Sequence, residues 1–237
     1  MQRYFLKEKQ QDTLILYEQD LHHIKNVMRY KENDQIEVVW NGMVYLCNID
    51  VLSPLKLSII KEYQEDRDLN VSLTIAVSLV QEQKFDLILQ KLTELGVSRI
   101  IPVKTSRSIV KIDPKKVENK INRWQTICKE ASEQSRRTSV PKVTGVIKVD
   151  SIESSSGVNI LCSLDEYNVK SINKVLNSNS ICDKINIVFG PEGGLTNKEE
   201  DLLVSIGYTK TSLGNNVLRT ETVLLTVCSI INYVKGE

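Results

Sequence analysis

The chain of 237 residues predicts an α/β protein: a small β-rich unit followed by a larger unit with a largely parallel sheet. Three observations carry this. From Asn70 onward, short apolar runs alternate with stretches of helical spacing, the pattern of strand–helix–strand units. Before that point the chain reads as strands and turns. Near the C-terminus two apolar runs each end in a glycine-bearing loop, Gly190-Pro191-Glu192-Gly193-Gly194 and Leu213-Gly214-Asn215-Asn216-Val217-Leu218-Arg219-Thr220-Glu221-Thr222. Loops of that kind belong at the carboxyl edge of a parallel sheet, where open α/β sheets bind ligands.

In the first unit, residues 1–68, Ile36–Trp40 and Met43–Cys47 flank Asn41-Gly42, a pair suited to a type I′ hairpin turn. Pro54–Ile60 reads as a further strand. Between Gln19 and Arg29 the apolar residues Leu21, Ile24, Val27 and Met28 recur at helical spacing. Lys61–Asp68, charged and polar, is expected to be the linker. In the second unit, residues 69–237, Val71–Leu79 reads as a strand. Phe85–Leu95 reads as a helix stopped by Gly96, a favoured residue just past a helix end. Arg99–Val103 is the next strand. Pro114–Gln134 is a long helix with Asp113 as its cap and Pro114 in its first turn. Val158–Leu161 and Ile185–Phe189 are short apolar strands. Thr196-Asn197-Lys198-Glu199 is a capping box that opens another helix. The last helix, about Glu221–Val234, is apolar over most of its surface, which points to more than one packing partner and favours a dimer.

Composition excludes several classes. Hydrophobic residues make up 41% and charged residues 26%, ordinary for a globular protein. The first residues carry no apolar segment of a secretory signal, and no apolar stretch is long enough to span a bilayer. The five cysteines are odd in number and scattered, with no CxxC pair. That fits reduced thiols, a cytoplasmic location and no zinc site. The net charge of +1 hides an asymmetry: Arg99–Lys148 holds thirteen Lys or Arg against four acids, whereas Val149–Ser205 holds nine acids and four lysines. A basic block of this kind suits a polyanionic partner such as nucleic acid, or simply solvates a long surface helix.

The loops lack the fingerprints of better-known sites. There is no GxxxxGK[ST], no GxGxxG after the first strand of the α/β unit, no HExxH and no GxSxG. What remains is a cofactor gripped by backbone groups and apolar walls, without a metal.

Taken together the motifs resemble the RsmE family of SPOUT methyltransferases. The resemblance rests on Leu21-His22-His23 with Met28-Arg29, Lys91–Val97, Thr105–Ser108, Glu133-Gln134-Ser135-Arg136-Arg137, Val140-Pro141, GPEGG and LGxxVLRTET. It implies S-adenosylmethionine as cofactor and N3 of a uridine in small-subunit 16S ribosomal RNA as target. It also implies a PUA-like N-terminal β-barrel, a trefoil-knotted C-terminal domain and a homodimer. Val223 stands where the family has a small residue, and Met28 where it has leucine; both departures are apolar for apolar.

By the same resemblance Gly190, Pro191, Glu192, Gly193, Gly194, Leu213, Gly214 and Leu218 hold the cofactor. Glu192 bonds its ribose, meets a partner subunit or caps the following helix. Arg219 is the candidate for stabilising charge that develops on the base; the alternative is a salt bridge to Glu221. Glu221 is a candidate base, although a carboxylate of ordinary pKa suits a weakly acidic imide poorly. His23, Arg29, Lys84, Arg107, Gln134, Arg136 and Arg137 are the candidate RNA contacts, the guanidinium groups because they grip phosphate bidentately. Trp40 and Trp124 stack on bases or belong to the core. A related methyltransferase with another RNA target, and a non-catalytic RNA-binding protein, are the competing readings.

Overall fold

The computed structural model describes residues 1–11, 13–65, 67–165, 169–178 and 182–235. The chain divides into two compact units. The first comprises Met1–Asp68 and Lys129–Val140, the second Leu69–Cys128 and Pro141–Glu237.

The first unit contains β1 (Arg3–Phe5), β2 (Glu8–Gln10), β3 (Thr13–Ile15), α1 (Glu18–His22), β4 (Gln35–Trp40), β5 (Met43–Leu52) and β6 (Leu55–Gln64). A four-stranded sheet in the order β1-β4-β5-β6 accompanies the β2–β3 ribbon. Asn41 and Gly42 both have positive φ, 48° and 79°, the signature of the type I′ turn that the Asn-Gly pair predicts. The helical stretch is shorter than its apolar spacing suggests. α1 gives way to one π-helical turn, His23–Val27, and Arg29 at φ 54° ends it. The core draws on the four-stranded sheet, on Leu16 just after β3 and on this turn: Tyr4, Leu16, Ile24, Ile36, Val38 and Cys47 are buried together.

The expected linker is not all linker. Lys61–Gln64 completes β6, which pairs with β5 as far as Gln64 opposite Met43, and Glu65 meets buried Arg3 at 3.0 Å. Asp66 lies outside the described residues. The chain leaves the first unit at Asp68, as expected, but returns to it, since the end of the long helix and the following loop, Lys129–Val140, belong to it as well.

The second unit follows the predicted alternation. Its elements are β7 (Ser72–Ser78), α2 (Glu82–Glu94), β8 (Arg99–Lys104), α3 (Val117–Gln134, entered through a 3₁₀ turn at Pro114–Lys116), β9 (Lys142–Val143), β10 (Ile147–Lys148), β11 (Val158–Cys162), β12 (Lys170–Ser171), α4 (Ile172–Asn177), β13 (Lys184–Phe189), α5 (Asn197–Ser205), β14 (Thr209–Ser212) and α6 (Thr220–Lys235). The sheet runs β10-β8-β7-β13-β11-β14-β12, with β9 also on β8, and its pairs are parallel. Its central strands are nearly continuous apolar runs, as strands covered on both faces must be: Leu73, Ile75, Val77, Ile160, Ile185 and Ile187 are wholly or almost wholly buried.

Helix ends behave as their sequences direct. The Asp113 carboxylate accepts from the Lys115 N–H at 3.0 Å. Gly96 takes φ 84°, and the Val97 N–H donates to the Leu92 carbonyl, closing α2 with the left-handed cap that glycine permits. Thr196 and Glu199 form the reciprocal capping box on α5. Trp124 is buried against Phe85, ring centroids 4.6 Å apart, and is a core residue. No helix among the described residues is long and apolar enough to cross a membrane.

Candidate functional site

Three adjacent strands, β13, β11 and β14, end at one edge of the sheet. The segments that follow them enclose a cavity of about 810 Å³, within the range of small-molecule sites. After β13 come Gly190, Pro191, Glu192 and Gly194. After β14 comes Leu213–Thr220, leading into α6, whose Val223 also faces the cavity. After β11 come Ser163, Leu164 and Asp165. The first two segments are the loops that the sequence singles out. The third is one it does not. Its signal was the apolar run Val158–Leu161 followed at once by polar and acidic residues, a third strand end at the same edge.

Backbone geometry explains the glycines. A Cβ on Gly190 would lie 2.6 Å from both the Gly194 carbonyl carbon and the Leu195 nitrogen, so the loop folds back onto itself where only a bare Cα fits. Gly194 takes φ 69° and its N–H donates to the Pro191 carbonyl at 2.8 Å. These are demands of the loop's own closure, met by glycine without strain. Arg107 braces the loop: its Nη1 donates to the Gly193 carbonyl at 2.6 Å and to the Leu195 carbonyl at 3.1 Å. Gly193 therefore faces Arg107 and does not line the cavity.

A polar network ties the three walls together. Glu200 on α5 is buried. Its carboxylate accepts from Ser163 Oγ at 2.9 Å and pairs with Lys210 Nζ of β14 at 2.8 Å. Lys210 also reaches Asp165 Oδ2 at 3.4 Å, and the Asp165 N–H donates to Ser163 Oγ. The Lys210 ammonium is held above the usual lysine range, mainly by its hydrogen bond to Glu200. Glu200 and Lys210 carry no motif and were not candidates from sequence.

The rim holds the remaining charges. Lys84 Nζ is hydrogen-bonded to Glu192, and this bond, with a smaller contribution from Arg219, keeps the Glu192 carboxyl below the usual range. Glu192 does not cap α5; Thr196 does. Arg219 lines the cavity and is exposed. No ion pair joins it to Glu221 among the described residues. Glu221 sits in the first turn of α6, off the cavity lining, with its Oε2 buried and without a hydrogen-bond partner among the described residues.

The sequence-derived sets thus separate. Gly190, Pro191, Glu192, Gly194, Leu213, Gly214, Leu218 and Arg219 meet at one cavity. Lys84 and Arg107 lie in the same unit, bound to Glu192 and to the glycine loop. The other candidates are in the first unit. His23 shares a hydrogen bond with Tyr4 Oη at 2.9 Å. Arg29 and Gln134 are exposed. Arg136 is exposed at φ 57°, with its carbonyl accepting from Arg3 Nη1 at 2.7 Å. Arg137 is buried, donating to Asp68 at 3.2 Å and to Ser139 Oγ at 3.1 Å, so its guanidinium is engaged inside the unit.

The family profile described as RNA methyltransferase domain matches residues 67–232, and that described as RNA methyltransferase PUA domain matches residues 16–62. The chain is 36% identical over 247 aligned residues to the Ribosomal RNA small subunit methyltransferase E of Bacillus subtilis, covering 98% of this chain and 96% of that protein. It is 33% identical to the protein of the same name from Rickettsia conorii, covering 87% and 83%. Among solved structures, the Ribosomal RNA small subunit methyltransferase E of Neisseria gonorrhoeae bound to S-adenosyl methionine aligns with a TM-score of 0.88 at 28% identity, over 99% of this chain and 98% of that one.

Proposed function

The chain belongs to the ribosomal RNA small subunit methyltransferase E family, and on that premise we propose that it methylates N3 of a uridine in 16S ribosomal RNA, using S-adenosylmethionine. The observation that carries this reading is the cavity of about 810 Å³ that three strand ends build from glycine backbone and apolar side chains.

The residues present fit that cofactor. The turn at Gly190 leaves no room for a side chain and holds backbone N–H and C=O groups at the cavity wall, the means by which a purine edge is recognised without side chains. Pro191, Leu213, Val217, Leu218 and Val223 supply apolar contacts, and Asp165 and Glu192 supply negative charge beside them, which suits a cationic ligand. When bound, S-adenosylmethionine supplies a methyl group already activated on a sulfonium, so the protein's work is positioning. Arg219 stands at the cavity wall without an ion-pair partner within 4 Å among the described residues. A guanidinium there stabilises the negative charge that spreads over a uracil carbonyl as the N3 proton leaves. Glu221, in the first turn of α6, is the candidate base, with its Oε2, which has no hydrogen-bond partner among the described residues, the acceptor.

We assign the family's trefoil knot to the segments that carry the cavity, and the RNA contacts to the candidates named above. We further place the enzyme in the cytoplasm as a homodimer, a reading supported by the exposed apolar side chains of α6, Leu225, Tyr233 and Val234.

Two measurements test the proposal. Calorimetric titration with S-adenosylmethionine should give saturable binding that is lost in Gly194→Val. Mass mapping of 16S ribosomal RNA from cells lacking the protein should show a missing N3-methyluridine that the intact chain restores. Persistence of every such nucleotide would sink the target, and absence of cofactor binding would sink the activity.

A further inference from the structure

A second groove lies in the same unit, beside the segment that follows the glycine loop. It has a volume of about 710 Å³ and is lined by the ends of β8 and β10 and the start of α5. Three lysines converge on it from these three elements: Lys104, Lys148 and Lys198. All three are exposed, and none has an ion-pair or hydrogen-bond partner among the described residues.

Each of the three is placed where the fold alone does not favour a cation. Lys104 and Lys148 are register partners on adjacent parallel strands, so their side chains leave the same face of the sheet about 4.8 Å apart at the backbone and repel. Lys198 stands in the first turn of α5, against the positive end of the helix dipole, where a carboxylate is favoured and an ammonium is not. The two acids that reach the groove do not answer these charges. The Glu199 carboxylate accepts from Thr196 in the capping box and from the Ser106 N–H at 2.7 Å. The Asp150 carboxylate accepts from Ser151 Oγ at 3.1 Å. Neither lies within 4 Å of the three ammonium groups.

From this arrangement we propose that the groove binds the phosphodiester backbone of the substrate RNA. The inference rests on the reading of the chain as an RNA methyltransferase, and it adds a substrate-binding surface outside the cofactor cavity. The number and placement of its cations favour a polynucleotide: three lysines from three separate elements line the groove, and a chain of phosphates neutralises them together. The groove also shares a wall with the cavity. Ser106 holds Glu199 at the head of α5, and its neighbour Arg107 holds the Gly193 and Leu195 carbonyls, so residues 193–199 contribute to both sites.

The test is the triple variant Lys104→Gln, Lys148→Gln, Lys198→Gln in the full chain. Its affinity for 16S ribosomal RNA transcribed in vitro is measured across a range of potassium chloride, alongside its affinity for S-adenosylmethionine. The slope of log K against log salt should flatten by about two to three, because each lost phosphate contact removes about 0.7–0.9. Cofactor affinity should match the parent's, and the thermal midpoint should hold or rise, since only repulsion is removed. If the triple variant does not fold, the three single variants read the same slope, each flattening it by about 0.7–0.9. An unchanged salt slope in folded protein overturns the groove while leaving the methyltransferase reading intact. A parent that binds no S-adenosylmethionine overturns that reading first. Saturable binding of inorganic phosphate that the triple variant loses, with the RNA slope unchanged, assigns the groove to a small anion and also overturns the proposal.

Discussion

The cavity of the second unit and the interior of the first are built on opposite principles. The cavity is walled largely by bare backbone and apolar side chains; among its charged groups Glu192 and Arg219 line it, with Lys84 bonded to Glu192, and Asp165 lines it against Lys210. The first unit carries charge inside. Arg3 is fully buried, with its guanidinium on Glu37 at 2.8 Å and Glu65 at 3.0 Å and on the Arg136 carbonyl. Lys129 is buried between Asp20 at 2.7 Å and Glu133 at 2.6 Å. A glycine loop can absorb a ligand because it commits few of its own groups. A buried ion pair can absorb nothing, because each partner is there only for the other. Substitution should therefore harm binding in one place and stability in the other, and each prediction below tests that division.

The largest effect is expected at Arg3. Arg3→Met leaves Glu37 buried without its cation, and removing one partner of a buried pair costs about 3–5 kcal/mol. Denaturant unfolding should show that loss, while the folded variant binds S-adenosylmethionine as the parent does. Equal stability would mean that the Arg3 network is idle. Gly190→Ala is the mirror experiment. The new Cβ collides with backbone at 2.6 Å, which cannot swing aside as a side chain would. Cofactor affinity should fall by about 3 kcal/mol, roughly a hundredfold, with a smaller change in stability. A variant that binds normally would show the loop to be looser than its hydrogen bonds indicate.

Lys210→Met blurs the division on purpose, because Lys210 is a charge placed behind a pocket wall. It leaves the Glu200 carboxylate with Ser163 alone, at a cost of about 1–2 kcal/mol. Because Ser163 and Asp165 line the cavity, cofactor affinity should drop with stability. Lys210→Met combined with Glu200→Gln should recover part of both. A double variant no better than the single one would separate the network from the cavity.

The same contrast explains what was legible in the sequence. Glycine, proline and capping residues act locally, so Asn41-Gly42, Gly96, Asp113 and Thr196-Glu199 announced the hairpin and the helix ends, and the paired glycine loops announced the crevice. Charged residues act through partners distant in sequence. Arg137, grouped with the RNA contacts, spends its guanidinium on Asp68 and Ser139. Arg107 spends its own on the glycine loop. Nothing in a basic tract distinguishes a phosphate ligand from an interior brace. The third cavity wall was obscure for another reason: Ser163 and Asp165 acquire meaning only because β11 lies between β13 and β14, and strand order is not written in local pattern. The division at Asp68 and Leu69 was legible, but the return of the chain to the first unit was not, since the turns of α3 from Lys129 onward join that unit through Asp20 and Phe5, more than a hundred residues earlier.

The Lys129 cluster yields the smallest and most selective prediction. Two carboxylates there share one ammonium away from water, a surplus of one negative charge that a bound proton removes. Burial, outweighing the attraction of Lys129, pushes the Glu133 carboxyl up to about 7, and Asp20 is shifted in the same direction. In the unfolded chain a glutamate titrates near about 4.3. Between those two values the folded protein holds a proton that the unfolded chain has released, so stability is greatest on the acid side and declines as pH rises toward 7. Glu133→Gln fixes the neutral form, and its carbonyl oxygen can still accept from the Phe5 N–H, which the parent donates at 3.1 Å. Urea midpoints taken from about pH 5 to about pH 8 should fall for the parent and fall less for the variant, which retains only the share due to Asp20. Parallel curves would show that Glu133 is charged throughout and that Lys129 neutralises both acids unaided.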